Sequence, residues 1–199
     1  MLDRRTGVWA IDFANQHPKS EVLGIDVNPI EPEIPVPPNC FFKTADAEDD
    51  WAFAGNKPFD YVHVRSLGVA IDHQHLFKQI YGHLAPGGFA EFQEWTIKLD
   101  SADRSLEGTQ LDKWNRLVLK GILKLGKDPG LITRYKDLLP RAGFEQVIER
   151  KYAVPGSSGT TISDTVDEDW SVNDVEDLLI GDDCVLSKAT KHATDYDIA

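Results

Sequence analysis

The 199-residue sequence predicts an α/β fold: a doubly wound, mostly parallel sheet with flanking helices. Three observations predict it. Short apolar runs alternate with segments of helical periodicity, the pattern of a sheet covered on both faces. The chain opens "MLDRRTGVWAIDFANQHP", where an apolar residue, an aspartate, a turn and a glycine lead into an amphipathic stretch. The next apolar run, "EVLGIDV", carries a second acidic residue, Asp26, near its end, as strands do where such folds bind ligands.

Each element has a local reason. Val8, Trp9, Ile11 and Phe13 recur at helical spacing, which predicts a helix over 6–17. Residues 21–27 are almost continuously apolar, as in a strand buried on both faces. Five prolines in 29–39 require an extended loop. "CFFKTAD" (40–46) and "FDYVHVRSL" (59–67) are predicted strands, with a loop or single helical turn between them. Leu76, Phe77, Ile80, Tyr81 and Leu84 share one helix face behind Asp72 as N-cap, and "APGG" is expected to stop that helix before a strand at 89–99. A helix over 109–126 carries a stripe of Leu111, Trp114, Val118, Ile122 and Leu125 that reads as core packing. "LITRYKDLLPRAGF" forms another helix, ended early by Pro140, before a strand at 144–153.

"PGSSGTT" marks the expected boundary between a domain over 1–155 and an acidic tail over 156–199. Eleven acidic and two basic side chains fall in that tail, so it holds nine of the twelve net negative charges. It is expected to be disordered or partly helical through Trp170, Val175, Leu178 and Leu179, with "CVLSKAT" as an alternative, a substitute strand. Such a tail is a candidate contact for a protein partner. The acidic balance argues against nonspecific nucleic-acid binding, and no apolar run approaches the ~20 residues that span a bilayer. Cys40 and Cys184 offer no disulfide framework, which points to the cytoplasm or nucleus.

Ligands of doubly wound folds sit beyond the carboxyl ends of the strands. Asp3, Asp26, Asp46, and His63 with Arg65 occupy the predicted ends of four successive strands. Asp26 lies nineteen positions after Gly7, close to the offset at which a carboxylate accepts from ribose hydroxyls; an ordinary solvated aspartate is the alternative. Asp46 could accept from an exocyclic amine such as that of adenine, with Ala47 leaving room for a ring, or belong to a solvated acidic turn. Glu91 and Glu94 are candidate general bases, with packing roles weighed above that. His73 and His75 point in different directions and no metal-ligand spacing accompanies them. No nucleophile elbow or phosphate-binding loop is present.

The segments "TGVWAIDFANQHP", "EVLGIDVNPIEP", "VPPNCFFKTADAEDDWAF", "FDYVHVRSLG", "HLAPGGFAEFQE", "LDKWNRLV" and "RAGFEQVIERKY" together resemble the class I S-adenosylmethionine-dependent methyltransferases. The closest likeness is to the fungal group that includes regulators of secondary metabolism. It covers roughly residues 1–153 and implies a Rossmann-like methyltransferase fold with S-adenosylmethionine as cofactor. By this resemblance Asp26 holds the ribose hydroxyls and Asp46 with Ala47 faces the adenine. Arg65, near His63, lies beside the methionine part, and Asp3 and Gly7 are remnants of the glycine-rich turn. No catalytic residue is implied, because such enzymes work largely by orientation.

The sequence departs from the family in three places. The turn from Asp3 to Trp9 is two residues shorter than the family's and keeps one glycine, with Arg4 and Arg5 in its place. Two extended residues span about 7 Å, comparable to the ligand fragment the turn skirts. The first strand is mostly missing ahead of Asp3, and the final strand is not recognisable, so the sheet is expected to be incomplete at its first and last strands. The function implied is methyl transfer to a small-molecule or protein acceptor. The alternative is an inactive, methyltransferase-like protein acting as an interaction or regulatory partner. Nicotinamide dinucleotide binding ranks last, because it needs a G-x-G-x-x-G turn.

Overall fold

The computed structural model describes residues 7–55, 57–101, 103–152 and 184–191. Its contacts divide the chain into two compact units, Met1–Lys57 and Pro58–Ala199.

The first unit is a helix on a parallel strand pair: α1 (Val8–Gln16), β1 (Val22–Asp26) and β2 (Cys40–Thr44). β1 and β2 run parallel in a register from Val22↔Cys40 to Asp26↔Thr44. Ala10, Ile11 and Ala14 of α1 bury against Val22 and Cys40, with Trp9, Phe13 and Phe42 packed around them. Two glycines make room for one ring. A Cβ on Gly7 would lie 2.5 Å from Phe42 Cζ, and one on Gly24 would lie 2.7 Å from Phe42 Cδ1. Gly7 also has a positive φ of 66°, which enters α1 in the left-handed region.

The proline-rich connection back to β2 closes on Asn39. Its side-chain amide donates to the carbonyl oxygens of Ala14 (3.1 Å), His17 (3.3 Å) and Ser20 (2.8 Å), gathering the end of α1 and the turn into β1. A lone amide thus satisfies acceptors that the helix end leaves open. A short 3-10 turn, Ala52–Ala54, follows β2.

The second unit holds a four-stranded sheet in the order β3-β4-β6-β5. β3 (Phe59–Arg65) and β4 (Leu84–Trp95) are parallel, joined by α2 (His73–His83). Asp72 caps α2 as expected, accepting from Gln74 N at 3.0 Å and His75 N at 3.1 Å. α2 buries Leu76, Phe77 and Ile80. The core of this unit is aromatic: Phe77, Phe92 and Tyr135 meet pairwise edge to face at 5.2 to 5.6 Å, within the favourable range for such pairs.

Three expectations are revised. "APGG" does not precede β4 but lies inside it. Pairing passes from Phe59↔Leu84 to Tyr61↔Phe89, so three extra residues bulge from β4 here. β4 also ends at Trp95 rather than at 99. Beyond it the Asn115 side chain donates to Ile97 O (2.7 Å) and accepts from Leu99 N (3.1 Å), taking the place of a neighbouring strand. Finally, the sheet does have a closing strand. "CVLSKAT", assigned above to the acidic tail, is β6 (Cys184–Thr190), antiparallel to both β4 and β5 (Glu145–Tyr152). Hydrogen-bond ladders on both sides hold a segment whose own composition is ambivalent. Lys191 finishes it, its ammonium donating to Leu84 O at 3.1 Å and lying 4.9 Å from the Tyr81 ring centre. The other tail residues, including Trp170, Val175, Leu178 and Leu179, lie outside the described residues.

α3 (Gln110–Lys124) corrects the core reading of its stripe. Leu125 is 79% exposed and Asn115 is the residue of α3 that is buried. Pro140 ends the next helix as expected. α4 (Tyr135–Leu138) gives way to a 3-10 turn at Pro140–Ala142, and Gly143, at φ 103°, turns the chain toward β5.

Asn39 offers a direct check of the first unit. Asn39→Ala removes three hydrogen bonds, and Asn39→Asp places a negative charge against three carbonyl oxygens. Chemical denaturation is expected to show a loss of about 1 to 3 kcal/mol for alanine and a larger loss for aspartate.

Candidate functional site

In the first unit the parallel register brings two acidic positions to one edge. Asp26 is the last residue of β1, and its carbonyl accepts from Ala45 N at 2.9 Å, so Asp46 follows directly. Asp26 is half-buried and Asp46 exposed. Each carboxylate has one oxygen engaged by the backbone amide two residues on: Asn28 N with Asp26 Oδ1 (2.8 Å) and Glu48 N with Asp46 Oδ1 (2.9 Å). These short turns orient the carboxylates and leave acceptor capacity on the second oxygens. Ala47 is held from behind, because the buried Trp51 donates its indole N–H to Ala47 O at 3.1 Å. That role for Trp51 was not read from the sequence.

Gly7 has structural reasons of its own in α1 entry and Phe42 packing. Asp3, Arg4 and Arg5 lie outside the described residues. Arg65 belongs to the second unit, exposed at the last position of β3 and in register with Gln93.

The second unit contains polar groups deep in its core. Opposite Glu91 in register stands His63, whose Nδ1 is 3.8 Å from Glu91 Oε1. Tyr61 donates its hydroxyl to Glu91 Oε2 at 3.1 Å, and burial, then the Glu91 charge, pushes the phenol up.

Glu94 is fully buried at 0% exposure. Its Oε1 accepts from Leu67 N and its Oε2 from Gly68 N, each at 3.0 Å. Gly68 is gripped again through its carbonyl, which lies 2.5 Å from His73 Nε2. A carbonyl only accepts, so Nε2 carries the proton and Nδ1 of the neutral ring accepts from the Tyr135 hydroxyl at 2.7 Å. The loop they hold is bent: Ser66 has φ 55° and Gly68 has φ 63°. His73, 2% exposed, and the fully buried Tyr135 were not singled out for this role in the sequence. One signal pointed there, since strict alternation puts Glu94 on the same face of β4 as Ala90 and Phe92.

Beside the start of α3, a polar surface cleft of about 410 Å³ is lined by Lys98, Asp100, Arg104, Glu107, Asp112 and Arg116 among others. Its charges answer one another, Arg116 meeting Asp112 at 2.8 Å and Arg104 meeting Glu107 at 3.9 Å. Among the described residues no helix is long and apolar enough to cross a membrane.

Parallel strand pairs with helices before and between them define an α/β protein. The chain belongs to the methyltransferase-domain family, whose description matches residues 5–147. It is 32% identical over 156 residues to the "Secondary metabolism regulator laeA" of Monascus pilosus, covering 75% of this chain and 41% of that protein. It is 30% identical over 159 residues to "Methyltransferase pytC" of Aspergillus terreus, covering 77% of this chain and 47% of that one. The chain therefore spans less than half the length of these relatives. Among solved structures, the putative methyltransferase complexed with the Trm112 activator of Haloferax volcanii shares its fold. The TM-score is 0.56 and the identity 14%, over 94% of this chain and 78% of that one. Human N-acetylserotonin methyltransferase, solved with SAM, matches at TM-score 0.50 and 17% identity, over 94% of this chain and 45% of that one.

Burial pushes the Glu94 carboxyl up to about 7, against the lowering pull of the Gly68 and Leu67 amides. Its proton therefore stabilises the fold fully below the ordinary carboxylate value of about 4.5, and that contribution is lost as pH rises through 7. Measured by denaturation between pH 4.5 and 8, wild type is expected to lose about 3 kcal/mol relative to Glu94→Gln, which cannot titrate.

Proposed function

We propose that this chain binds S-adenosylmethionine and transfers its methyl group to a small-molecule or protein acceptor. The observation that carries the reading is the parallel register of β1 and β2, which brings Asp26 and Asp46 to one strand edge. Asp26 is proposed to accept from the vicinal ribose hydroxyls, a task suited to a carboxylate with acceptor capacity to spare. Asp46 is proposed to accept from the adenine amine, with the backbone at Ala47 beside the ring. By resemblance Gly7 and Asp3 are proposed as remnants of the cofactor's glycine-rich turn, and Arg65 is proposed for the carboxylate at the cofactor's amino-acid end. When bound, the cofactor supplies an electrophilic methyl on a sulfonium. The residues of this chain bind and orient, and no side chain is assigned as a base. The setting proposed is the cytoplasm or nucleus.

Calorimetric titration of the full chain with S-adenosylhomocysteine tests this. Micromolar binding is expected, weakened at least about tenfold by Asp26→Ala, as loss of charged hydrogen bonds requires, and less by Asp46→Ala. Absence of heat with wild type overturns the reading.

One observation favours a second reading, a protein that acts through a partner. Among the described strands β5 pairs with β6 alone, and its Ile148 and Tyr152 are 59% and 47% exposed. An open strand edge with apolar side chains invites pairing with another chain. Under this reading a stoichiometric partner copurifies with wild type and is lost from Ile148→Lys. A monodisperse monomer unaffected by that change counts against it.

A further inference from the structure

Glu94 of β4 and His73 of α2 converge on Leu67 and Gly68, and Tyr135 of α4 backs His73. Ionised, Glu94 offers an acceptor to each of two adjacent backbone amides. His73 Nε2 takes the Gly68 carbonyl, and the Tyr135 hydroxyl meets the other ring nitrogen. Ser66 N donates to Gln93 O at 3.0 Å, so the loop is sewn to β4 from its first residue. A buried carboxylate is unfavourable for stability, and a neutral side chain of similar shape would fill the space at lower cost. Its position points to work done on the loop. That loop follows Arg65 directly, at the carboxyl end of parallel β3, where ligands of such sheets bind.

We propose that Glu94, aided by His73 and Tyr135, is a positioning residue that shapes the Ser66–Gly68 loop and thereby holds Arg65 for the amino-acid end of the cofactor. This rests on the S-adenosylmethionine reading above. A protonated Glu94 must use one oxygen as a donor and can no longer accept well from both amides. Cofactor affinity therefore rises with pH as Glu94 ionises, opposite in direction to its effect on stability. The Tyr135 phenol of α4 feels the Glu94 charge, and His73 of α2 meets the same Gly68 from its carbonyl side. The loop contributes backbone, and the residue opposite on β6 is Val185.

Two measurements on the full chain from pH 5.5 to 8.5 test the proposal: amide NMR shifts of Leu67 and Gly68, and titration with S-adenosylhomocysteine. Both amides are expected to move together with a midpoint near 7, as the value for Glu94 requires, and to be flat in Glu94→Gln. Wild-type affinity is expected to tighten about tenfold across the range, with Glu94→Gln weak and independent of pH. Tyr135→Phe keeps the ring packing and releases His73; it is expected to weaken binding about threefold and to lower the melting temperature by a few degrees while the chain stays folded, as loss of one buried hydrogen bond requires, which gives a second reading should the glutamine variant misfold. A folded Glu94→Gln protein with wild-type affinity and slope overturns the proposal, as do amides that do not titrate. Amides that titrate in a chain that binds no S-adenosylhomocysteine overturn the cofactor reading and the role of Arg65, while the clamp itself stands.

Discussion

The Glu94 side chain against the amides of Leu67 and Gly68 is the interaction that ties the core of the second unit to its loop. β4 lies between β3 and β6, and its inward face deposits Ala90, Phe92 and Glu94 in succession. The first two pack, the second against Phe77 and Tyr135. The third reaches past the end of β3 to the loop that leads toward α2. Core and loop are therefore not separable. The aromatic cluster that excludes water also supplies Tyr135, whose hydroxyl orients His73. Low dielectric strengthens each of these bonds and makes any unpaired member costly.

In the first unit the corresponding constraint is steric. The Phe42 ring rests on Gly7 and Gly24, so the helix entrance and the strand beside it are matched to one side chain. The acidic edge begins two residues further along, where Asp26 ends β1, and is shaped by backbone amides and the Trp51 indole.

Much of this was legible in the sequence. Periodicity located α1, α2 and α3, and apolar runs located β1, β2 and β3, because each pattern is set by neighbours within a few residues. The Asp72 cap and the Pro140 stop are local in the same sense. What escaped depends on residues distant in sequence. Asn39 closes a helix end more than twenty positions away, and Asn115 substitutes for a strand beside Ile97 and Leu99. Tyr135 meets His73 across 62 positions. The strand ends at Asp26 and Arg65 were legible in the sequence, although β2 stops at Thr44, two residues before Asp46; the grip on Gly68 was not, since no local pattern links Glu94 to a loop 26 positions earlier.

β6 has a consequence for how the chain is completed during synthesis. β5 is made first, yet among the described strands it reaches the sheet solely through β6, which inserts between it and β4. Until the ribosome has released residues near 190, β5 has a sequence but no ladder, and the edge of β4 stays open. Among the described strands, both β5 and the second edge of β4 therefore gain their ladders only once Cys184–Thr190 has been made.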